Sequence, residues 1–424
     1  MTEGVGMKLP CGSLVLRLLA KARGEMTSTP ERTRLPTGPT QASCGVNPAR
    51  WWIAIGIAVT LQTSLIGQVP TVAPSTLVHA PTIQPPPSGE IEVLPIRGNI
   101  YALLGAGANI VASVGPDGVM LVDAGTAPMS DKVIAALAEV QRDWSARNEP
   151  KPLGWGAETR SSVVNRHIVA PPKPIRYIVN TSPSADHVGG NEKLRNAGRT
   201  FTGGNVAGDI RDSGEGAAIL AHENVLSRLG KAAEGQPAPP ADALPTDTYF
   251  NEYYKLSHFF NGEGVQLLHM PKANTDGDSI VYFRGSDVIA LGDLMATESY
   301  PVFDVEKGGS INGIIDGLNA VLDLAISEFR LEGGTMMVPG HGRIVDSGDV
   351  AYYRDMLTII RDRVKDMVTK EMTLDEVKAA RPTADYDTEY GKTPGWTSDQ
   401  FIEAVYKSLG GGRTPPRAPA RQRK

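Results

Sequence analysis

Four short apolar segments of this chain each stop at a residue that can ligate a metal or take part in acid–base chemistry, with glycine close by. Arg176-Tyr177-Ile178-Val179-Asn180 runs into Asp186-His187-Val188-Gly189-Gly190-Asn191. Val265–Leu268 runs into His269 and then Asn274-Thr275-Asp276-Gly277-Asp278. Val288–Leu291 is followed by Gly292-Asp293, and Met336–Val338 by Pro339-Gly340-His341-Gly342. Apolar runs of three to five residues bounded by Gly, Pro and polar residues read as buried strands. Loops that leave strand ends carrying polar side chains are where α/β sheets present their sites. The glycines let the backbone turn tightly and leave room beside the polar groups.

Composition narrows the chemistry. The chain has 424 residues, 41% hydrophobic and 21% charged, which is ordinary globular usage. Its formal net charge is −5, with no basic surplus to meet a phosphate backbone, so nucleic acid is not an expected partner. With only two cysteines, Cys11 and Cys44, a Cys-rich zinc module is excluded. A metal site would therefore use His and carboxylates, and there are seven His in all.

The N-terminal region reads as an address rather than as part of the fold. Arg50 precedes the apolar run Trp51–Val59, which Thr60, Gln62, Thr63 and Ser64 then dilute. That run suits the core of a secretory signal and is short for a spanning helix, which needs about 17–25 apolar residues. Both cysteines lie upstream of it, so a chain cleaved near Gly67 would contain none, in keeping with an oxidising compartment. Residues 1–67 are thus expected to be an unstructured N-terminus with a signal or anchor segment, and 68–90 a Pro-rich linker. The protein is expected to be exported, periplasmic or extracellular; the alternative is a membrane anchor through residues 51–67.

Beyond the linker, strands are expected at Ile91–Val93, Asn99–Leu103, Asn109–Ser113 and Val119–Val122, the last stopping at Asp123-Ala124-Gly125. Helical periodicity runs from Ser130 to about Arg142, and residues 143–174 read as an irregular, Pro-containing loop. Glu215–Lys231, Ile311–Ile326, Asp349–Lys370 and Ser398–Leu409 read as helices, with a further strand at Ile280–Phe283. The tail from Gly410 to Lys424 is basic, contains three prolines and is expected to be disordered.

At these motifs the chain resembles the metallo-β-lactamase fold superfamily, over about Ile91 to Asp346. Val122-Asp123-Ala124-Gly125 is similar to the family's early strand-to-loop motif. Asp186-His187-Val188-Gly189-Gly190-Asn191 looks like the end of its H-x-H-x-D-H-x-G-G signature. Asn274-Thr275-Asp276-Gly277-Asp278 stands at its H-T-x-G-D motif, and Gly292-Asp293 and Pro339-Gly340-His341-Gly342 at its last two. The five occur in the family's order. The resemblance implies a four-layer αββα sandwich over 91–346, with a helical C-terminal extension over 347–409.

The departures from the family pattern are concentrated. Ser182 and Ser184 stand where the family has its first two His, and Asn274 where it has its third; those three His hold the first of two metals. The resemblance assigns Asp186, His187 and His341 to the second metal, with Asp293 as the carboxylate that bridges both. Hydroxyl and amide oxygens are weak zinc ligands beside imidazole and carboxylate. One divalent metal is therefore expected, zinc first, with manganese or iron as alternatives, held by Asp186, His187, Asp293 and His341. Ser182, Ser184 and Asn274 would line the vacated half of the pocket, with Asp123 and Asp278 supporting the loops around it.

The implied function is an exported hydrolase of a small ester, thioester, lactone or lactam, using metal-bound hydroxide with Asp186 orienting or deprotonating the water. β-Lactamase activity itself is not expected, because half of the usual centre is replaced. The alternative is a metal-free pseudoenzyme that binds a ligand or partner in the same cleft. A small molecule is the expected partner, and a membrane only through an uncleaved N-terminal anchor. His222 on a predicted helix, His269 at a strand end and Lys272 are expected to be structural or solvated; His79, His167 and His258 lie outside the motifs.

Overall fold

The computed structural model describes residues 89–148, 173–200, 216–231, 239–256, 260–325 and 333–411. The expected signal segment, most of the linker, His79, His167, His258, the bulk of the 143–174 loop and all but the start of the basic tail lie outside them. Every described residue belongs to one compact unit, Ala80–Lys424.

Among the described residues, twelve strands form two sheets. The first contains β1 (Glu92–Arg97), β2 (Ile100–Leu104), β3 (Ile110–Gly115), β4 (Gly118–Val122), β5 (Ile175–Val179), β6 (Ala218–His222) and β7 (Asp247–Tyr249), neighbours in that order. β1 to β4 are antiparallel, joined by short turns, and the later pairings are parallel. The second contains β8 (Tyr253–Lys255), β9 (Val265–His269), β10 (Ser279–Phe283), β11 (Val288–Ala296) and β12 (Met336–His341), again in chain order, with only β11 and β12 parallel.

Residue alternation along the strands divides the interior into three cores. Successive strand side chains face opposite sides of a sheet. Ile100, Ala102 and Leu104 of β2 therefore pack with Val281 and Phe283 of β10, between the sheets. Tyr101 and Leu103, one residue out of step, pack on the outer side against Val133, Leu137 and Val140 of α1 (Ser130–Arg147) and Leu194 near the protein's first short helices. Those short helices are α2 (Ala185–Val188) and α3 (Asn191–Ala197), followed by α4 (Glu223–Leu229). On the far side, Ile280, Tyr282, Ile289 and Leu291 meet α5 (Ile311–Ala325), α6 (Ser347–Thr369), α7 (Leu374–Ala380), α8 (Asp387–Tyr390) and α9 (Ser398–Ser408). Helix, sheet, sheet and helix make the expected four layers.

Two local readings differ. Glu215–Lys231 is not a helix throughout: β6 precedes α4, because Ala217–Ala221 is apolar on every side and is buried on both faces. The expected loop from 143 begins later, since α1 continues to Arg147. The helical extension expected beyond 346 packs on the flank of the sandwich, where Val350, Tyr353 and Ile360 of α6 share one core with strands β10 and β11. The start of α6 is sharp because the Asp346 carboxylate caps it, accepting from the N–H groups of Gly348 and Asp349.

Candidate metal centre

The strand ends β4, β5, β11 and β12 bring their polar residues to one cleft. β5 ends at Val179, and the following turn carries Thr181, Ser182 and Ser184 into α2, whose single turn holds Asp186 and His187. Asp293 lies within β11, just past the glycine at 292, and His341 closes β12. The parallel pairing of β11 with β12 sets these two side by side.

Close approach of the loops depends on two glycines. Gly292 has φ 54°, and a Cβ there would lie 2.5 Å from Thr181 Oγ1. A Cβ on Gly340 would lie 2.7 Å from the Gly292 carbonyl oxygen and 3.1 Å from His187 Cε1. Any larger residue at either position would push the strand ends apart.

His187 is completely buried and is held from both sides. Its Nδ1 is 2.8 Å from Asp123 Oδ2, and its Nε2 is 2.8 Å from Asp293 Oδ1. Thr181 reinforces Asp123: its N–H donates to Oδ1 at 2.8 Å and its hydroxyl to Oδ2 at 2.6 Å. Asp123 adopts φ 67°, a left-handed conformation unusual outside glycine and asparagine, which these bonds maintain. Burial acts to lower the His187 pKa, but the charges of Asp293 and Asp123 outweigh it and hold it well above the usual imidazole value.

His341 is more open. Its Nε2 lies 3.1 Å from Asp186 Oδ2 and 3.6 Å from Asp293 Oδ1. Burial opposes its protonation, and hydrogen bonds to the two carboxylates overcome this, raising it to about 9. The bond from His341 lowers Asp186 in turn. Asp293 would be raised by burial, yet the neighbouring His187 charge keeps it well below the carboxylate range.

The three positions that depart from the family pattern all converge on Asp293. Ser182 Oγ donates to its Oδ2 at 2.8 Å and Ser184 Oγ to the same oxygen at 3.1 Å. The Asn274 amide donates to its backbone carbonyl at 2.7 Å. Asp293 is thus divided: Oδ1 faces the histidines, and Oδ2 is engaged by two hydroxyls. The Asn274 side-chain oxygen is buried and has no hydrogen-bond partner.

Asp278 is not in this cluster. Its carboxylate accepts from the Thr275 N–H at 2.6 Å and hydroxyl at 3.0 Å, shaping the loop that carries Asn274. Burial, with a contribution from Asp293, raises it to about 7 against those bonds. His222 and His269 lie apart from the cluster's contacts, stacked on each other with ring centroids 3.7 Å apart.

The donor set fits one divalent cation. One ligand atom each from Asp186, His187 and His341 lie within 4.8 Å of one another, and Asp293 Oδ1 borders both histidines. Two imidazoles and two carboxylates suit zinc, manganese or iron. With Nδ1 engaged by Asp123, Nε2 is the nitrogen His187 would offer to an ion, the arrangement by which outer carboxylates orient metal-binding histidines. Sequence reasoning missed Thr181, whose role becomes visible only when the turn after β5 lies against Asp123.

Two cavities open at the cluster. One of about 170 Å³ is walled by Asp186, Asp293 and His341 together with Ser184, Asn274 and Val302. A larger one of about 600 Å³ shares Ser184, Asn274 and Val302 and extends toward α9.

A family model described as the metallo-beta-lactamase superfamily matches residues 105–341. No curated protein matches the sequence. Among solved structures, the chain is similar to a stereoselective inverting sec-alkylsulfatase from Pseudomonas sp., at 18% identity and TM-score 0.46, covering 76% of this chain and 51% of that one. It thus spans about half the length of that alkylsulfatase. It is also similar to a metallo-beta-lactamase from Pontibacter korlensis, at 13% identity and TM-score 0.41, covering 63% of this chain and 99% of the other. The DIM-1 metallo-beta-lactamase gives 12% identity, TM-score 0.41 and coverages of 63% and 97%.

Proposed function

The chain belongs to the metallo-β-lactamase superfamily, and from that premise we propose that it is a hydrolase with a single divalent metal, acting on a small ester, thioester, lactone or lactam. The observation that carries the reading is the division of Asp293. Its Oδ1 joins His187, His341 and Asp186 in one donor cluster, while Ser182 and Ser184 satisfy Oδ2. At the positions matched to the family's first-metal ligands stand two hydroxyls and an amide, and the residues matched to its second metal remain together.

Asp186, His187, Asp293 and His341 would hold the ion, which supplies a Lewis acid and lowers the pKa of a bound water toward about 7. The chain's own groups would do the rest. Asp186, partly exposed at the cavity, would accept a proton from the attacking water through its carboxylate. Asp123 would keep His187 in one tautomer and one orientation. The hydroxyls of Ser182 and Ser184 and the Asn274 amide would hold Asp293 in place, and Ser184 would meet substrate at the cavity wall.

Metal analysis of the purified full chain, with hydrolysis of an ester, thioester, lactone and lactam series before and after chelation, tests this. About one metal per chain and a chelator-sensitive, metal-restored activity are expected. A chain that retains no metal and hydrolyses none of the series overturns it. A second reading, a metal-free ligand-binding protein, draws support from the network itself: both histidines already have carboxylate partners, and the same assay would favour it.

Export is part of the proposal. It rests on Arg50, the apolar run 51–59 and the absence of cysteine after Cys44. Among the described residues no helix is long and apolar enough to cross a membrane. A reporter fused after Pro70 should reach the outside of the cytoplasm, and cytosolic retention would overturn it.

A further inference from the structure

The cavity of about 600 Å³ beside the cluster has a wall that the family motifs do not supply. Trp396 and residues of α9, including Gln400, Ala404 and Lys407, form one side. Val302, Phe303 and Val305, from the segment between β11 and α5, form the other. The volume lies within the range of about 300–1,000 Å³ usual for small-molecule sites. Ser184, Asn274 and Val302 belong to both cavities, so the large one is continuous with the space beside Asp186 and His341.

The wall's charges cancel locally. Lys307 pairs with Asp304 at 3.1 Å, and Lys407 with Glu403 at 2.8 Å. Glu403 is also bound by Lys378 at 2.8 Å, and Glu306 lies near Lys407. Both lysines on the wall have a carboxylate partner. Beside the polar side chains of Ser184, Asn274, Thr275 and Gln400, the remaining surface is aliphatic and aromatic: Val302, Phe303, Val305, Trp396 and Ala404. At the junction stands the Asn274 oxygen, buried with no partner.

We infer that this cavity, walled by α9 and the 302–305 segment, selects substrates carrying a neutral, apolar chain of medium length on the group that reacts at the cluster. The inference rests on the hydrolase reading for its reaction and not for its binding.

Both are therefore measured. In the full chain, kcat/KM is compared for p-nitrophenyl octanoate and p-nitrophenyl acetate, and the chelated chain is titrated with octanamide, then with octanoate. Wild type should prefer the octanoyl ester and bind octanamide more tightly than octanoate. Ala404→Trp, which fills the cavity, should lower the octanoyl-to-acetyl ratio and the octanamide affinity about tenfold or more. Val302→Asp, at a side chain 56% exposed and therefore tolerant of change, should do the same. If no ester is hydrolysed while octanamide still binds and both variants weaken it, the hydrolase reading fails and the pocket stands. Tighter octanoate than octanamide binding, or an unchanged ester ratio with no octanamide binding, overturns the inference.

Discussion

Asp123 Oδ2 lies 2.8 Å from His187 Nδ1, on a residue whose backbone adopts φ 67°. One side chain thus holds a buried imidazole from a conformation that few residues tolerate. Asp123→Asn separates these effects, since asparagine accepts the left-handed region while losing the charge. The variant should fold and bind zinc about 10–100-fold more weakly. Competition titration with a chromogenic chelator measures it; unchanged affinity would mean that Asp123 acts only on the loop.

Ser182, Ser184 and Asn274 converge on Asp293, at 2.8, 3.1 and 2.7 Å. Imidazoles at all three positions would border the same residue, two of them at its carboxylate. The triple variant Ser182→His, Ser184→His, Asn274→His should raise bound zinc from about one to about two per chain. Elemental analysis of the folded variant reads it directly, and an unchanged stoichiometry would count against the matching of these positions to the family's first-metal ligands.

Metal should stabilise the fold. An ion that binds only the native state at 100 times its Kd contributes about 2.7 kcal/mol. The melting temperature of the full chain should rise on adding zinc after chelation, and the rise should largely vanish in His341→Ala. A melting point indifferent to metal would sink the single-metal reading.

Acid should weaken the fold through His222. The Asn224 N–H donates to its Nδ1 at 3.3 Å, which requires the neutral ring, and burial with the neighbouring His269 lowers its pKa to about 4. Because the unfolded chain takes up this proton near pH 6.5 and the folded one only near 4, the contribution is present above 6.5 and is lost as pH falls through about 4. His222→Asn keeps a cap for α4 without a titrating group. Urea unfolding at pH 7, 5.5 and 4.5 should show wild type losing stability more steeply than the variant; parallel losses would refute it.

Gly340→Ala should cost about 1–3 kcal/mol by overpacking, because its Cβ would meet the Gly292 carbonyl and His187. Chemical denaturation gives the value. A variant as stable as wild type, with metal binding intact, would show that β11 and β12 can separate without consequence.

The strands were legible from strong local signals, and the sandwich through the resemblance that the motifs at their ends carry. Val119–Val122 and Ile280–Phe283 are uninterrupted apolar runs ended by polar loops. Asp186, His187, Asp293 and His341 could be named as a set because each follows such a run. The short strands β7 and β8 escaped notice, since Asp247–Tyr249 and Tyr253–Lys255 are polar, half-exposed and defined only by their partners. Thr181 and the wall around Trp396 were invisible for a related reason. Their contacts join segments 58 to more than 90 residues apart, and nothing in their local sequence announces them.

The position of α9 separates two kinds of inheritance. The segment matched to the family ends at His341, whereas one side of the large cavity is built by residues 396–407. Changes in that last stretch can remodel what the cleft admits while leaving every residue of the histidine–carboxylate cluster untouched. Diversification of such a protein could then proceed from its tail inward, and grafting a different closing helix after α8 would be the natural way to retarget it.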